Sequence, residues 1–147
     1  MGNMDVMYTR NSDEWETPSW LFDALDCEFL FTLDPCATDQ NHKCDQYFTK
    51  DDDGLSLPWK KERVFCNPPY GRQIGKWVRK AFEETYARYC PLVVMLLPAR
   101  TDTKWFHDFI YNKAEVRFMR GRVKFGNCAK DAPFPSMIVI FRGWYES

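Results

Sequence analysis

The chain has 147 residues, a formal net charge of −1, 45% hydrophobic residues and 28% charged residues. That length supplies one domain with one core and leaves little room for a second recognition domain, and the composition excludes wholesale disorder. No apolar run approaches the roughly 20 residues that cross a bilayer as a helix, so no membrane partner is expected.

The charge is unevenly placed. Residues 1–59 hold 3 Lys/Arg against 13 Asp/Glu, and residues 60–147 hold 17 against 8. The basic half suits a polyanion such as nucleic acid, although two halves of opposite sign also neutralise each other within one fold. Aromatics reach 17%, enough for a core and for faces that stack on planar ligands. None of the six cysteines forms a CxxC pair, and the N-terminus is polar and acidic rather than an apolar leader. Reduced thiols in a cytoplasmic protein are therefore expected. Cys36, His42 and Cys44 lack a fourth ligand at a sensible spacing, so no metal site is expected.

In chain order, residues 1–12 read as a flexible N-terminal stretch of a single domain spanning 1–147. "ETPSWLFDALD" (16–26) predicts a short helix with Thr17 as N-cap, Pro18 at the first helical position, and Trp20, Leu21 and Leu25 on its apolar face. "FLFTLDP" (29–35) predicts a strand that Pro35 stops. Residues 36–63 are mostly polar and irregular, as functional loops often are. "VFC" (64–66) predicts a short strand. "IGKWVRKAFEETYARY" (74–89) predicts an amphipathic helix with Ile74, Trp77, Val78, Ala81, Phe82 and Thr85 on one face. "PLVVMLLP" (91–98) is apolar without alternation and predicts a central strand buried on both faces. "TKWFHDFIYN" (103–112) predicts a helix with Trp105, Phe106, Phe109 and Ile110 inward. "AEVRFM" (114–119), "RVKF" (122–125) and "SMIVIF" (136–141) predict three more strands. The alternation predicts an α/β domain with a mainly parallel sheet and an antiparallel pair near the C-terminus.

Ligands of such sheets bind at the carboxyl ends of the strands. Three of these strands end in polar residues: Asp34, Asn67, and Arg100 with Asp102. If the strands are parallel neighbours, these ends meet on one rim.

The turn "VFCNPPYG" (64–71) carries the sharpest chemistry. Asn67 offers a side-chain acceptor, and Pro68 and Pro69 remove two backbone donors and stiffen the chain. The Pro68 carbonyl is then a fixed acceptor beside the Asn67 side-chain oxygen, and Tyr70 offers a ring. Two acceptors and an aromatic face suit an amine on a planar group, and alignment is the main help that methyl transfer to such an amine requires. A strand-ending turn with Tyr70 in the core is the alternative.

With that turn in place, the chain resembles the phage-type DNA N-6-adenine methyltransferases, the phage Dam-like proteins, from about residue 13 to residue 141. The stretches that carry the resemblance are "DEWETPSWLFDAL" (13–25), "LDPCAT" (33–38), "YFTKDDDGL" (47–55), "VFCNPPYG" (64–71), "LLPARTDTKWFH" (96–107), "RFMRGRVKFG" (117–126) and "APFPSMIVIF" (132–141). The resemblance implies a Rossmann-like methyltransferase fold with helices on both faces, S-adenosyl-L-methionine as cofactor, and the exocyclic amine of adenine in DNA as target. It also implies a phage or prophage origin and action in the cytoplasm of a bacterial host. By it, Asn67, Pro68, Pro69 and Tyr70 form the catalytic turn, Tyr70 stacking on a flipped base. Trp15, Thr17 and Pro18 would flank the methionine end of the cofactor. Asp34, Pro35, Cys36 and Ala37 would form the first-strand turn, Asp53, Gly54 and Leu55 would meet the cofactor's adenine, and Asn67 would border the cofactor too.

Methyltransferases of this fold usually have a glycine-rich turn after the first strand, whereas "DPCATDQN" has none. Arg100, Lys104 and His107 would lie near the substrate rim. Arg120, Arg122 and Lys124, at every second position, would present a basic strand face to DNA phosphates, or simply a solvated edge. Two rival functions stay open: methylation of a glutamine side-chain amide in protein, and a DNA-binding module that has lost catalysis. The oligomeric state is also open, a homodimer included.

Overall fold

The computed structural model describes residues 14–144. The flexible stretch expected at residues 1–12 lies outside the described residues.

The first helix among the described residues, α1 (Ser19–Phe29), buries Leu21, Phe22, Leu25 and Phe29, a repeat of four that marks one helical face. That repeat corrects two expectations. The helix runs on through Phe29, where alternation suggested a strand, and Trp20 is 61% exposed rather than on the apolar face. Asp26 ends the helix twice over: its carbonyl accepts from Leu30 N at 2.8 Å and its carboxylate accepts from Phe31 N at 2.8 Å. Leu30 takes a left-handed φ of 56° to make that exit. At the other end Pro18, not Thr17, is the N-cap, and the Thr17 side chain is used elsewhere.

Strand β1 is only Leu33–Asp34. Just before it, the Thr32 hydroxyl accepts from Arg63 N at 2.8 Å, so a side chain replaces a rung of the ladder. β2 (Gln46–Tyr47) is a second short strand inside the stretch expected to be irregular. β3 (Arg63–Cys66), helix α2 (Ile74–Ala87), β4 (Leu92–Pro98), helix α3 (Lys104–Phe109), β5 (Glu115–Phe118) and β6 (Ser136–Arg142) follow. All seven residues of β4 are buried. Ile74, Trp77, Val78, Ala81 and Thr85 of α2 are buried as their spacing predicts, and Phe82 is half-buried.

The six strands form one sheet in the order β2-β1-β3-β4-β6-β5. β2, β1, β3 and β4 run parallel, with Leu33 against Val64 and Val64 against Val93. β6 is antiparallel to both of its neighbours, with Met95 against Val139 and Val116 against Val139. The mostly parallel sheet with antiparallel C-terminal pairing matches the expectation, and it places the carboxyl ends of β1, β3 and β4 side by side.

The strand expected at 122–125 is absent. Val123 and Phe125 are buried while Arg122 and Lys124 are exposed, so the period of two is real. The backbone, however, finds scattered partners instead of a ladder: Ala132 N donates to Val123 O at 2.8 Å and Gly126 N to Glu16 O at 2.8 Å. Alternation reported which side chains face the core, and no neighbouring strand was there to pair with.

Candidate active site

A pocket of about 420 Å³ opens where β1 and β3 end. Its size falls in the range of small-molecule sites. Its lining includes Trp15, Thr17, Asp34, Pro35, Cys36, Ala37, Asp53, Gly54, Leu55, Asn67, Pro68 and Pro69. Pro18 is buried but lies outside that lining. Residues that sequence reasoning passed over also line it, among them Glu14, Lys50, Gln73, Trp77 and Asn127. Trp77 had been assigned to the core by its helical spacing, and helical spacing cannot tell a core face from a pocket wall.

The Asn67 side chain is bonded through its nitrogen alone. Its Nδ2 donates both hydrogens, one to the Trp15 carbonyl and one to Thr17 Oγ1 at 2.9 Å. Its Oδ1 is buried with no hydrogen-bond partner. The two donations fix the amide's orientation, leaving the oxygen as the acceptor still to be used. This is also the work of Thr17, whose hydroxyl serves Asn67 and not the helix N-terminus.

The turn after β1 needs no glycine. Among the described residues, none from 35 to 52 has a positive φ. Asp34 builds the turn from its own carboxylate: Oδ1 accepts from Cys36 N at 3.2 Å and Oδ2 from Lys43 N at 2.9 Å. Asp34 O accepts from Phe48 N at 3.0 Å, and Ala37 N donates to Phe48 O at 2.9 Å, which ties the turn to the chain leaving β2. Burial of Asp34 pushes its carboxyl pKa up, against the pull of those two N–H groups. Cys36 packs its thiol 3.5 Å from that of Cys66, and burial, with that contact, raises its pKa well above the ordinary thiol value.

The close backbone approach that a turn glycine usually allows is made from the opposite wall. A Cβ on Gly54 would lie 2.6 Å from Pro35 O and 3.1 Å from the Trp77 ring. Asp53, beside it, takes a left-handed φ of 59°, which a short polar side chain tolerates. This loop is clasped from below. Trp59 Nε1 donates to Gly54 O at 3.1 Å, and Trp59 N donates to Glu84 Oε1 at 2.8 Å. Lys80 Nζ neutralises the buried Glu84 at 3.2 Å and donates to Leu57 O at 2.7 Å.

Tyr70 departs from expectation. Its ring is 2% exposed and does not line the pocket. The phenol donates to Leu96 O at 2.9 Å, and Phe125 and Phe134 pack against the ring edge-on, with centroids at 6.3 and 5.6 Å. Tyr70 therefore braces the NPPY turn against β4 rather than offering a free face. Of the third strand end, Arg100 is exposed and lies over the Phe134 ring at 6.0 Å, outside the pocket lining. Lys104, His107, Arg120, Arg122 and Lys124 are exposed too. Lys104 is paired with Asp108 at 2.6 Å, and Lys124 Nζ donates to Cys128 O at 3.2 Å.

The family profile described as DNA N-6-adenine-methyltransferase (Dam) matches residues 6–147. The chain belongs to this Dam family. It is similar to the DNA N-6-adenine-methyltransferase of Haemophilus phage HP1, with 30% identity over 143 residues, 90% of this chain and 82% of the relative. It is also similar to the DNA N-6-adenine-methyltransferase of Escherichia phage T1, with 32% identity over 106 residues, 71% of this chain and 43% of that protein. For this Dam-family chain, no helix among the described residues is long and apolar enough to cross a membrane.

Proposed function

We propose that this chain, as a single methyltransferase domain of Rossmann-like architecture with helices on both faces, transfers a methyl group from S-adenosylmethionine to the N6 amine of adenine in DNA. Family membership and the names of the two phage relatives support the reaction class. One observation of geometry carries the assignment of the site: Asn67 Oδ1 is buried, unpartnered and fixed in orientation.

A buried acceptor left unsatisfied costs about 1–3 kcal/mol, so an N–H donated to it by a bound amine returns more than an exposed contact does. Asn67 Oδ1 and the neighbouring Pro68 carbonyl take the two amine hydrogens. They hold the amine's lone pair toward the pocket and draw electron density onto its nitrogen. The chain's contribution is alignment and exclusion of water, with no strong base required.

The pocket residues fit S-adenosylmethionine, which supplies an activated sulfonium methyl. Leu55, Pro35 and Trp77 give apolar walls for a purine, and Gly54, packed on Pro35, leaves the room that a side chain would fill. Asp53 lines the same pocket and is our candidate to accept from the purine amine. Asp34 spends two acceptor positions on backbone N–H groups and keeps others for the cofactor's ammonium, whose charge offsets the burial that raises its pKa.

Entry of the target requires a base to leave the duplex at a cost of a few kcal/mol. For Tyr70 to stack on that base, the half-buried Phe134 must move off its ring. Arg100, Lys104, His107, Arg120, Arg122 and Lys124 are the candidates for phosphate contacts on this side. The protein then acts in the cytoplasm of a bacterial host.

The test is incubation with methyl-labelled S-adenosylmethionine and unmodified DNA, followed by nucleoside analysis. Label in N6-methyl-2′-deoxyadenosine is expected, with loss of transfer but retained cofactor binding in Asn67→Ala. Label only in cytosine or in added protein, or near-normal transfer by the variant, would overturn the proposal.

A further inference from the structure

The segment Glu14–Thr17 is gripped from two sides by two asparagines. Asn67 Nδ2 holds the Trp15 carbonyl and the Thr17 hydroxyl. Asn127 holds the alternate residues: its Nδ2 donates to Glu14 O at 2.9 Å and its Oδ1 accepts from Glu16 N at 3.0 Å. Gly126 N adds a donation to Glu16 O at 2.8 Å. Alternate groups of one extended segment thus face opposite partners. The Trp15 ring fills the space beneath, edge-on to Phe125 and Phe134 with centroids at 5.4 and 5.1 Å. On the pocket's other side, Lys50 pairs with Glu14 at 3.0 Å, an exposed contact that contributes little.

Asn127 also lines the pocket. It follows Arg122 and Lys124 by five and three residues, and Lys124 Nζ reaches back to Cys128 O. One side chain therefore joins the loop with the exposed basic residues to the backbone that orients the Asn67 amide. A shift of that loop moves Glu14 and Glu16, and with them the Trp15 carbonyl that Asn67 must face.

We propose that Asn127 is a positioning residue that couples DNA engagement by the 120–128 loop to cofactor binding and to the orientation of Asn67. The proposal rests on the function proposed above. Linkage makes the coupling reciprocal: if DNA tightens S-adenosylmethionine binding, the cofactor tightens DNA binding by the same factor.

The experiment is calorimetric titration of S-adenosylhomocysteine, the cofactor without a methyl to transfer, into the full chain with and without a saturating adenine-containing duplex. The readout is the ratio of the two dissociation constants. A wild-type ratio of about 5 or more, the lower end of ordinary coupling, is expected. Asn127→Ala should bring the ratio close to one. Asn127→Asp keeps an acceptor for Glu16 N, loses the donor to Glu14 O, and should fall between. A generally destabilising role would lower the melting temperature and leave the ratio of the folded protein untouched. A wild-type ratio in both variants, or a wild-type ratio of one in a chain that methylates adenine, would overturn the coupling and leave the function standing. A wild-type chain that neither binds the cofactor nor transfers methyl would overturn the function, and the coupling with it.

Discussion

Nδ2 of Asn67 donates to the Trp15 carbonyl, which can only accept, and that contact decides which way round the Asn67 amide sits. The Thr17 hydroxyl takes the second hydrogen at 2.9 Å, so both amide hydrogens are used and Oδ1 is left buried without a partner. The amide therefore needs no rotation to accept from an amine that reaches its buried oxygen.

Asn67→Asp tests this arrangement more sharply than alanine does. An aspartate keeps an acceptor for the amine but has no N–H for Trp15, and it sets a negative oxygen against that carbonyl. The cost is that of leaving a buried acceptor unpaired, about 1–3 kcal/mol. Transfer in single-turnover assays should fall by roughly 10-fold or more, as about 1.4 kcal/mol of lost alignment gives. Thermal unfolding should shift down as well. A wild-type rate in the Asp variant would mean that the Trp15 and Thr17 contacts do not orient the catalytic group.

Gly54→Ala tests the pocket wall. The new Cβ would stand 2.6 Å from the Pro35 carbonyl, and Pro35 belongs to a turn that Asp34 already pins at two points. Neither backbone yields easily, so the walls must part. Overpacking of this kind costs about 1–3 kcal/mol. Cofactor affinity should weaken by about 2- to 10-fold if half of that, about 0.5–1.5 kcal/mol, falls on the bound state. Calorimetry reads it directly, and unaltered affinity would remove Gly54 from the cofactor wall.

Much of this geometry was legible in the sequence for local reasons. "PLVVMLLP" has no polar face, so it had to be a strand covered on both sides, and Asp34 and Asn67 had to sit at strand ends because proline follows each of them. What could not be read was where side chains bond over long separations. Thr17 suits an N-cap by type, but a partner fifty residues away claims its hydroxyl. Tyr70 suits a stacking ring by type, but Leu96 O and two phenylalanines hold it in the core. The glycine-free turn departed from the usual pattern only locally: the close approach is supplied by Gly54, nineteen positions beyond Pro35. Asn127 carried no local signal at all, because its partners are backbone groups more than 100 residues away.

The edge of the sheet predicts a pH dependence. Arg117 of β5 pairs with Glu28 of α1 at 2.7 Å and with Glu115 at 2.7 Å, and Arg142 pairs with Glu115 at 2.6 Å. Hydrogen bonds from Arg117 hold the Glu28 carboxyl below its ordinary value of 4.5, and those from Arg142 and Arg117 do the same for Glu115. A folded-state pKa below the unfolded one stabilises the fold above pH 4.5, and that contribution fades as the pH falls through the lowered values. Both carboxylates are exposed, so the gain is less than about 1 kcal/mol. Urea unfolding of wild type and Arg117→Ala should therefore differ at pH 7 and converge in acid. A difference that persists well below the carboxylate range would assign it to the Arg117 guanidinium, which lies over the Phe29 ring at 5.5 Å and stays charged in acid.

The basic loop predicts a salt dependence. Arg120, Arg122 and Lys124 are exposed while Val123 and Phe125 between and beside them are buried, so the three cations are held on the solvent side by the core itself. Each phosphate they neutralise adds about 0.9 to the slope of log affinity against log salt for duplex DNA. Reversing all three charges should weaken binding and flatten the slope by up to about 2.7 if every one makes a contact. Val123 and Phe125 are untouched by that change, so the fold should survive and the melting temperature should move little. Arg100, Lys104 and His107 remain in the variant to give the residual slope, and their reversal should remove a separate share. An unchanged slope after the first change would mark residues 120–124 as solvated and leave phosphate contact to the β4 end of the site. A slope that falls only when both groups are reversed would mean that DNA spans the two.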